Sequence, residues 1–143
     1  MSWTRASRTV SDRLDRGLLD TSVVVDLDQF DPDHLPREVA ISMITLVELC
    51  AGPSATDDPD ERARRQDRLQ RTEAAFDPLP FDLEAARAYG RVHAAVLGQG
   101  RKPRRRFADL LIASTALAAQ LPLVTRHAED FVGLEGLLTI VEI

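Results

Sequence analysis

The chain has 143 residues, enough for one domain with a single buried core and too few for two independent domains. With 44% hydrophobic and 29% charged residues, one cysteine, and no apolar run near the ~20 residues that cross a bilayer, the composition excludes disordered, transmembrane and disulfide-rich proteins. The net charge of −5 argues against a protein that coats nucleic acid nonspecifically, because such proteins usually carry excess basic residues.

The chain opens with a polar segment, residues 1–16, that lacks the apolar stretch of a secretory signal. We expect a flexible extension there, followed by a single domain over residues 17–143, in a cytoplasmic protein. An amphipathic targeting segment is the alternative, since Arg5, Arg8 and Arg13 are present, but Asp12 and Asp15 disfavour it.

Predicted strands and helices alternate along the chain. The pair Asp58-Pro59 combines a helix cap with a proline at the first helical position, and Leu121-Pro122 ends an alanine-rich helix that begins at Phe107. Cys50 is expected to be a small core residue. The predicted strands cover residues 17–19, 39–42, 78–80, 123–125 and 138–141, and the predicted helices cover residues 45–49, 59–75, 83–98 and 107–120.

This alternation predicts an α/β sandwich with a mostly parallel central sheet of four to five strands. In such sheets the loops at the carboxyl ends of the strands meet in one crevice. Four acidic residues fall at positions that could face that crevice: Asp20, Glu48, Asp109 and Asp130.

Taken singly, each acid is weak evidence, because an aspartate after a strand often caps a helix or a turn. Asp109 stands out because it lies within an apolar helix, where a buried charge needs a cation or a hydrogen-bond partner. A salt bridge to Arg105 or Arg106 would be a structural explanation. Carboxylates that converge would instead favour Mg²⁺, which prefers oxygen ligands and can promote phosphodiester hydrolysis.

Four segments carry a resemblance to PIN domains, and specifically to the VapC toxins of type II toxin–antitoxin pairs. They occur in the family's order along residues 17–143. The last segment has His127 where family members often have asparagine, so its local contacts are expected to differ. The segments are residues 18–23 (LLDTSV), 44–49 (ITLVEL), 108–113 (ADLLIA) and 124–131 (VTRHAEDF).

The resemblance implies a PIN-like α/β/α fold and a Mg²⁺-dependent endoribonuclease toxin that cuts structured cellular RNA, with Mn²⁺ as a substitute. It implies Asp20 and Asp109 as the main metal ligands, Glu48 as a third acid and Asp130 as the fourth. Thr21 would support Asp20, and Thr125 would be a further supporting residue. The implied partners are transfer or ribosomal RNA, a VapB-type antitoxin and a second copy of the chain.

The basic run that precedes Asp109 could bind RNA phosphates through Arg104, Arg105 and Arg106. A solvated loop is the alternative for such a charge run. Two other functions stay open at this point. One is an aspartyl-nucleophile phosphatase, although Ser22 stands where a second aspartate is usually needed. The other is a PIN-like module that binds RNA or protein without cutting.

Overall fold

The computed structural model describes residues 13–143, apart from the side chains of Arg104 and Arg105. Most of the predicted extension therefore lies outside the described residues. Within its last part, the Arg13 guanidinium donates hydrogen bonds to the backbone carbonyls of Leu35 and Pro32 at 2.8 and 2.9 Å. Residues 13–16 thus contact the domain, and the extension stays a prediction for residues 1–12.

The central sheet has four parallel strands in the order β2-β1-β3-β4. In the two middle strands, residues 17–19 and 123–125 are buried and mostly apolar, as expected for a parallel sheet covered by helices on both faces, whereas Arg16 at the start of the first strand is exposed. The strands are β1 (Arg16–Leu19), β2 (Glu38–Ile41), β3 (Leu123–Thr125) and β4 (Ile140–Glu142).

Within residues 13–143, five α-helices connect and cover the strands. Three of them begin at side-chain caps, because Ser42, Asp58 and Asp82 each accept a hydrogen bond from a backbone N–H in the first turn. The helices are α1 (Thr21–Val24), α2 (Met43–Ala51), α3 (Pro59–Ala75), α4 (Leu83–Gly98) and α5 (Phe107–Ala119).

Two hydrophobic clusters cover the two faces of the sheet. Successive residues of a strand point to opposite faces, and Leu18 and Leu19 accordingly join different clusters. Leu18 packs in the cluster of α4 and α5, while Leu19 packs in the cluster of α1, α2 and α3. This arrangement confirms the predicted α/β/α sandwich.

Several local predictions differ from the structure. Helix α2 is longer than expected, covering Met43–Ala51 and not only residues 45–49. The strand expected at residues 78–80 is a single bridge between Leu79 and Ser42, because the prolines on either side of Leu79 have no N–H to donate. The last strand covers Ile140–Glu142, so that it begins two residues and ends one residue later than expected. Cys50 is exposed and not part of the core. Within residues 13–143, no helix is long and apolar enough to cross a membrane.

Candidate active site

The four predicted acids come together at the carboxyl ends of the central strands. Asp20 follows β1 directly, and Glu48 lies on α2. Asp109 lies in the first turn of α5, and Asp130 lies in a short 3₁₀ turn, Ala128–Phe131, after β3. Because β1 and β3 are neighbouring parallel strands, their ends open on the same edge of the sheet.

Asp20 is held rigidly at the bottom of this site. Its carboxylate oxygen Oδ2 accepts hydrogen bonds from the hydroxyls of Ser22 at 2.7 Å and Thr125 at 2.8 Å. The other oxygen, Oδ1, is buried and has no hydrogen-bond partner among the described residues. A buried carboxylate oxygen without a partner is unfavourable, and a bound cation would compensate it.

The bond from Thr125 to Asp20 can be tested by an isosteric change. We expect Thr125→Val to lower the free energy of unfolding by about 2 kcal/mol, since it removes a buried hydrogen bond to a charged acceptor and also the acceptor of the His127 N–H. Thr115→Val is the matched control, because that hydroxyl bonds only the Leu111 carbonyl of its own helix. Equal losses in the free energy of unfolding of the two variants, measured by urea titration, would show that the bond to Asp20 stabilises the fold no more than an ordinary hydroxyl bond within a helix.

Glu48 is positioned by a threonine pair. The Thr21 hydroxyl donates to Glu48 Oε1 at 2.7 Å and lies 2.9 Å from the Thr45 hydroxyl, which is fully buried. The resemblance implied that Thr21 supports Asp20. Its side chain contacts Glu48 instead, and the support for Asp20 comes from Ser22 and Thr125.

The electrostatics of Asp109 show that the four acids form one cluster. The pKa of Asp109 is raised to about 6, chiefly by partial burial and in addition by the negative charges of Asp20, Asp130 and Glu48. The nearby guanidinium of Arg106 acts in the opposite sense. Repulsion among these carboxylates is what a hard divalent cation relieves.

Arg106 joins the cluster through two ion pairs. Its Nη1 atom lies 2.8 Å from Asp130 Oδ1 and 3.7 Å from Asp109 Oδ2. The sequence suggested a salt bridge from Arg106 to Asp109, and the structure adds a closer one to Asp130. Arg106 also lines a cavity of about 400 Å³ beside the acids, together with Arg101 and Lys102. The side chains of Arg104 and Arg105 lie outside the described residues.

The donor set fits a metal ion that keeps much of its water shell. Among residues 13–143, no three acidic, histidine or cysteine side chains form a ready-made metal cage. Mg²⁺ does not require one, because it is usually held by one or two carboxylates together with water and substrate phosphate. The unpartnered oxygen of Asp20 and the raised pKa of Asp109 are the observations that favour such an ion.

Sequence reasoning named Thr21 and Thr125 as supporting residues but did not find Ser22 or the connections among these hydroxyls. Ser22 donates to Asp20 and accepts from the backbone N–H of Arg126, more than a hundred positions away. His127 stands where family members often have asparagine. Its backbone N–H donates to the Thr125 hydroxyl at 3.1 Å. Its imidazole Nδ1 lies 3.6 Å from a carboxylate oxygen of Glu129. Short polar side chains beside Asp20 were the available signal for this network.

Sequence comparisons place the chain among known proteins. A family model for the PIN domain matches residues 17–132. The chain is 36% identical over 127 residues to ribonuclease VapC5 of Mycobacterium tuberculosis, which covers 87% of this chain and 91% of that protein. It is 31% identical over 126 residues to VapC ribonuclease Y4jK of Sinorhizobium fredii, which covers 80% of this chain and 89% of that protein.

Solved structures agree with the sequence comparisons. The crystal structure of VapBC-5, a member of the VapBC family of toxin–antitoxin systems from Mycobacterium tuberculosis, matches with a TM-score of 0.79 at 35% identity, covering 90% of this chain and 99% of that chain. The structure of FitAcB from Neisseria gonorrhoeae matches with a TM-score of 0.69 at 26% identity, covering 87% and 95%. The chain therefore belongs to the PIN domain family, among its VapC members.

Proposed function

We propose that this chain is a Mg²⁺-dependent endoribonuclease, the toxin of a toxin–antitoxin pair, that hydrolyses phosphodiester bonds in structured cellular RNA and so inhibits translation and growth. The observation that carries the proposal is the buried, unpartnered oxygen of Asp20 at the centre of an acidic cluster. Membership of the VapC family, whose curated relatives are named ribonucleases, supports the reaction class.

In this proposal the four acids have different roles. Asp20 and Asp109 would hold Mg²⁺, or Mn²⁺ in its place, with Glu48 and Asp130 as further acids of the site. When bound, the ion would lower the pKa of a water and stabilise charge on the phosphate. Ser22 and Thr125 keep Asp20 in one orientation, and Glu48, anchored by Thr21, would orient the attacking water.

Two other functions fit the residues less well. An aspartyl-nucleophile phosphatase would need Asp20 to reach the substrate, but its side chain is buried and bonded to two hydroxyls. Ser22 also occupies the place of the usual second aspartate. A module that binds RNA without cutting it would have no use for a cluster of mutually repelling carboxylates.

Cleavage of a structured RNA by the purified chain, with Mg²⁺ or with a chelator, separates these functions. Metal-dependent cleavage that is lost in both Asp20→Ala and Asp109→Asn supports the nuclease. Binding without cleavage would favour the module, and a covalent phosphoenzyme trapped on Asp20 would favour the phosphatase.

The basic turn before α5 is proposed to bind RNA phosphates through Arg104, Arg105 and Arg106. We expect the double change of Arg104 and Arg105 to glutamine to weaken RNA binding and to reduce its salt slope by about 1.4, since each lost contact to single-stranded RNA removes about 0.7. Arg71→Gln with Arg87→Gln is the matched control, because both arginines pair with acids on their own helices. An unchanged slope in a salt series would reject these contacts.

The partners follow from the same proposal. The VapBC-5 structure is described as a toxin–antitoxin system, and we infer a VapB-type antitoxin for this chain too. In this proposal the antitoxin lies in a groove between helices, with α3 as one wall. A cavity of about 510 Å³ between residues 24–29 and α3 supports that placement. A homodimer, transfer or ribosomal RNA as substrate, and a cytoplasmic location complete the proposal.

A further inference from the structure

The Arg106 guanidinium occupies the space between two acids of the cluster. One nitrogen, Nη1, contacts both Asp130 and Asp109, at 2.8 and 3.7 Å. These carboxylates are 18% and 26% exposed, so water screens the contacts only in part. A single positive group that contacts two carboxylates reduces the repulsion between them, as a metal ion shared by both would.

Both partners of this contact are fixed by the backbone. Arg106 closes the turn Pro103–Arg106 and directly precedes α5, so it lies three residues before Asp109. Asp130 is held in its turn by a hydrogen bond from its N–H to the His127 carbonyl, and its neighbour Phe131 is buried in the core. The turn Pro103–Arg106 and the turn Ala128–Phe131 therefore place the Arg106 guanidinium and the Asp130 carboxylate next to each other.

Among the side chains that the structure describes, no basic group forms an ion pair with Asp20 or Glu48, the other two acids of the cluster. Asp20 Oδ1 has no hydrogen-bond partner among the described residues, and Glu48 is contacted by a neutral hydroxyl. The site thus has one part where a carboxylate is already neutralised and one part where a carboxylate oxygen needs a cation. A second divalent ion beside Asp130 would lie against a guanidinium of the same sign.

We propose that Arg106 takes the place of a second metal ion, so that the site binds one divalent ion, at Asp20 and Asp109, and uses the Arg106 guanidinium as its other cation. This inference rests on the proposed nuclease function. The Arg106 side chain is 51% exposed and lines the neighbouring cavity. Its outer edge can therefore receive a phosphate of the RNA while Nη1 holds Asp130.

The test is the number of Mn²⁺ ions bound per chain, measured without RNA by calorimetry and by the electron paramagnetic resonance signal of free Mn²⁺. We expect one ion for the wild type and two for Arg106→Gln, because the change frees Asp130 as a ligand. Arg106→Gln combined with Asp130→Asn should return to one ion. Arg106→Lys keeps the positive charge and should also bind one.

Arg87→Gln is the control for loss of an arginine, since that side chain pairs with Glu84 on the exposed face of α4. It should bind one ion and cut RNA at the wild-type rate, whereas Arg106→Gln should lower kcat about tenfold or more. Two ions in the wild type, or one ion in Arg106→Gln, would overturn the inference while leaving the nuclease intact. Zero ions together with no metal-dependent cleavage would instead remove the proposed function itself.

Discussion

Asp109→Asn is expected to lower the rate of RNA cleavage by about 10³-fold and yet to make the metal-free protein more stable. The loss of activity follows from removing a charged oxygen ligand of the proposed site. The gain in stability follows from the cluster, because burial and the charges of Asp20, Asp130 and Glu48 all disfavour an ionised Asp109. A residue that destabilises the fold while serving the reaction is typical of an active site.

The pH dependence of this stability has a definite sign. In the folded protein the pKa of Asp109 is raised to about 6 from an ordinary value of 3.8. Between these pH values the folded state binds more protons than the unfolded state, so the contribution of Asp109 to stability falls as the pH rises. Asparagine cannot ionise, and the advantage of the variant should grow from about pH 4 to pH 6 and then stay constant.

The size of the gain is limited by solvent. A shift of this size corresponds to about 3 kcal/mol for an isolated and fully buried group. Because 26% of the Asp109 side chain is exposed and solvent screens the repulsion, we expect about 1 kcal/mol, or a rise in Tm of about 3 °C.

Thermal melts in a chelator across this pH range, with Asp67→Asn as control, provide the measurement. Asp67 is 64% exposed on α3 and pairs with Arg71, so its neutralisation should change neither stability nor cleavage appreciably. An Asp109→Asn protein that melts below the wild type at pH 7 would contradict the electrostatic account of the cluster.

Phe131→Ala is expected to give the largest loss of stability, about 3–5 kcal/mol. The phenyl ring is 1% exposed and packs in the cluster that contains Leu18 and residues of α4 and α5. Its removal leaves a cavity beneath the turn that carries Asp130, so we also expect cleavage to weaken. Guanidinium denaturation gives the free energy, and activity well below the melting range gives the second effect.

Val132→Ala is the matched control, because the next side chain is 39% exposed and should contribute less than about 0.5 kcal/mol. A similar small loss for both variants would mean that Phe131 does not anchor the turn. A large loss of stability with full activity would show that the packing of Phe131 in the core does not determine the position of Asp130.

Elements set by local chemistry were predicted correctly from the sequence. Helix α3 has the predicted bounds because Asp58 caps its first turn and Pro59 occupies the first helical position. Helix α5 ends at Ala119, where Gln120 adopts a left-handed conformation just before Leu121-Pro122. The prediction of a strand around Leu79 was wrong. Leu79 forms only one bridge, to Ser42, and this pairing depends on a residue that is distant in the chain.

The site was predicted only in part, because the order of strands and helices determines where strand ends lie but not how side chains are placed. A parallel sheet brings the ends of its strands together, so Asp20 and Asp130 could be placed at one edge from the order of elements alone. The hydrogen bonds from Thr125 and Ser22 to Asp20, and the contact of Arg106 with Asp130, depend on side-chain positions that alternation of strands and helices does not determine.

The carboxylate cluster around Asp20 is proposed to cut RNA. The most direct measurement maps new RNA ends in total cellular RNA after the wild-type chain or Asp20→Ala is induced to equal levels. We predict new ends at a small number of positions in transfer or ribosomal RNA, accompanied by growth arrest, for the wild type alone. The same ends in both strains, or growth arrest by the wild type without any new ends, would contradict the claim.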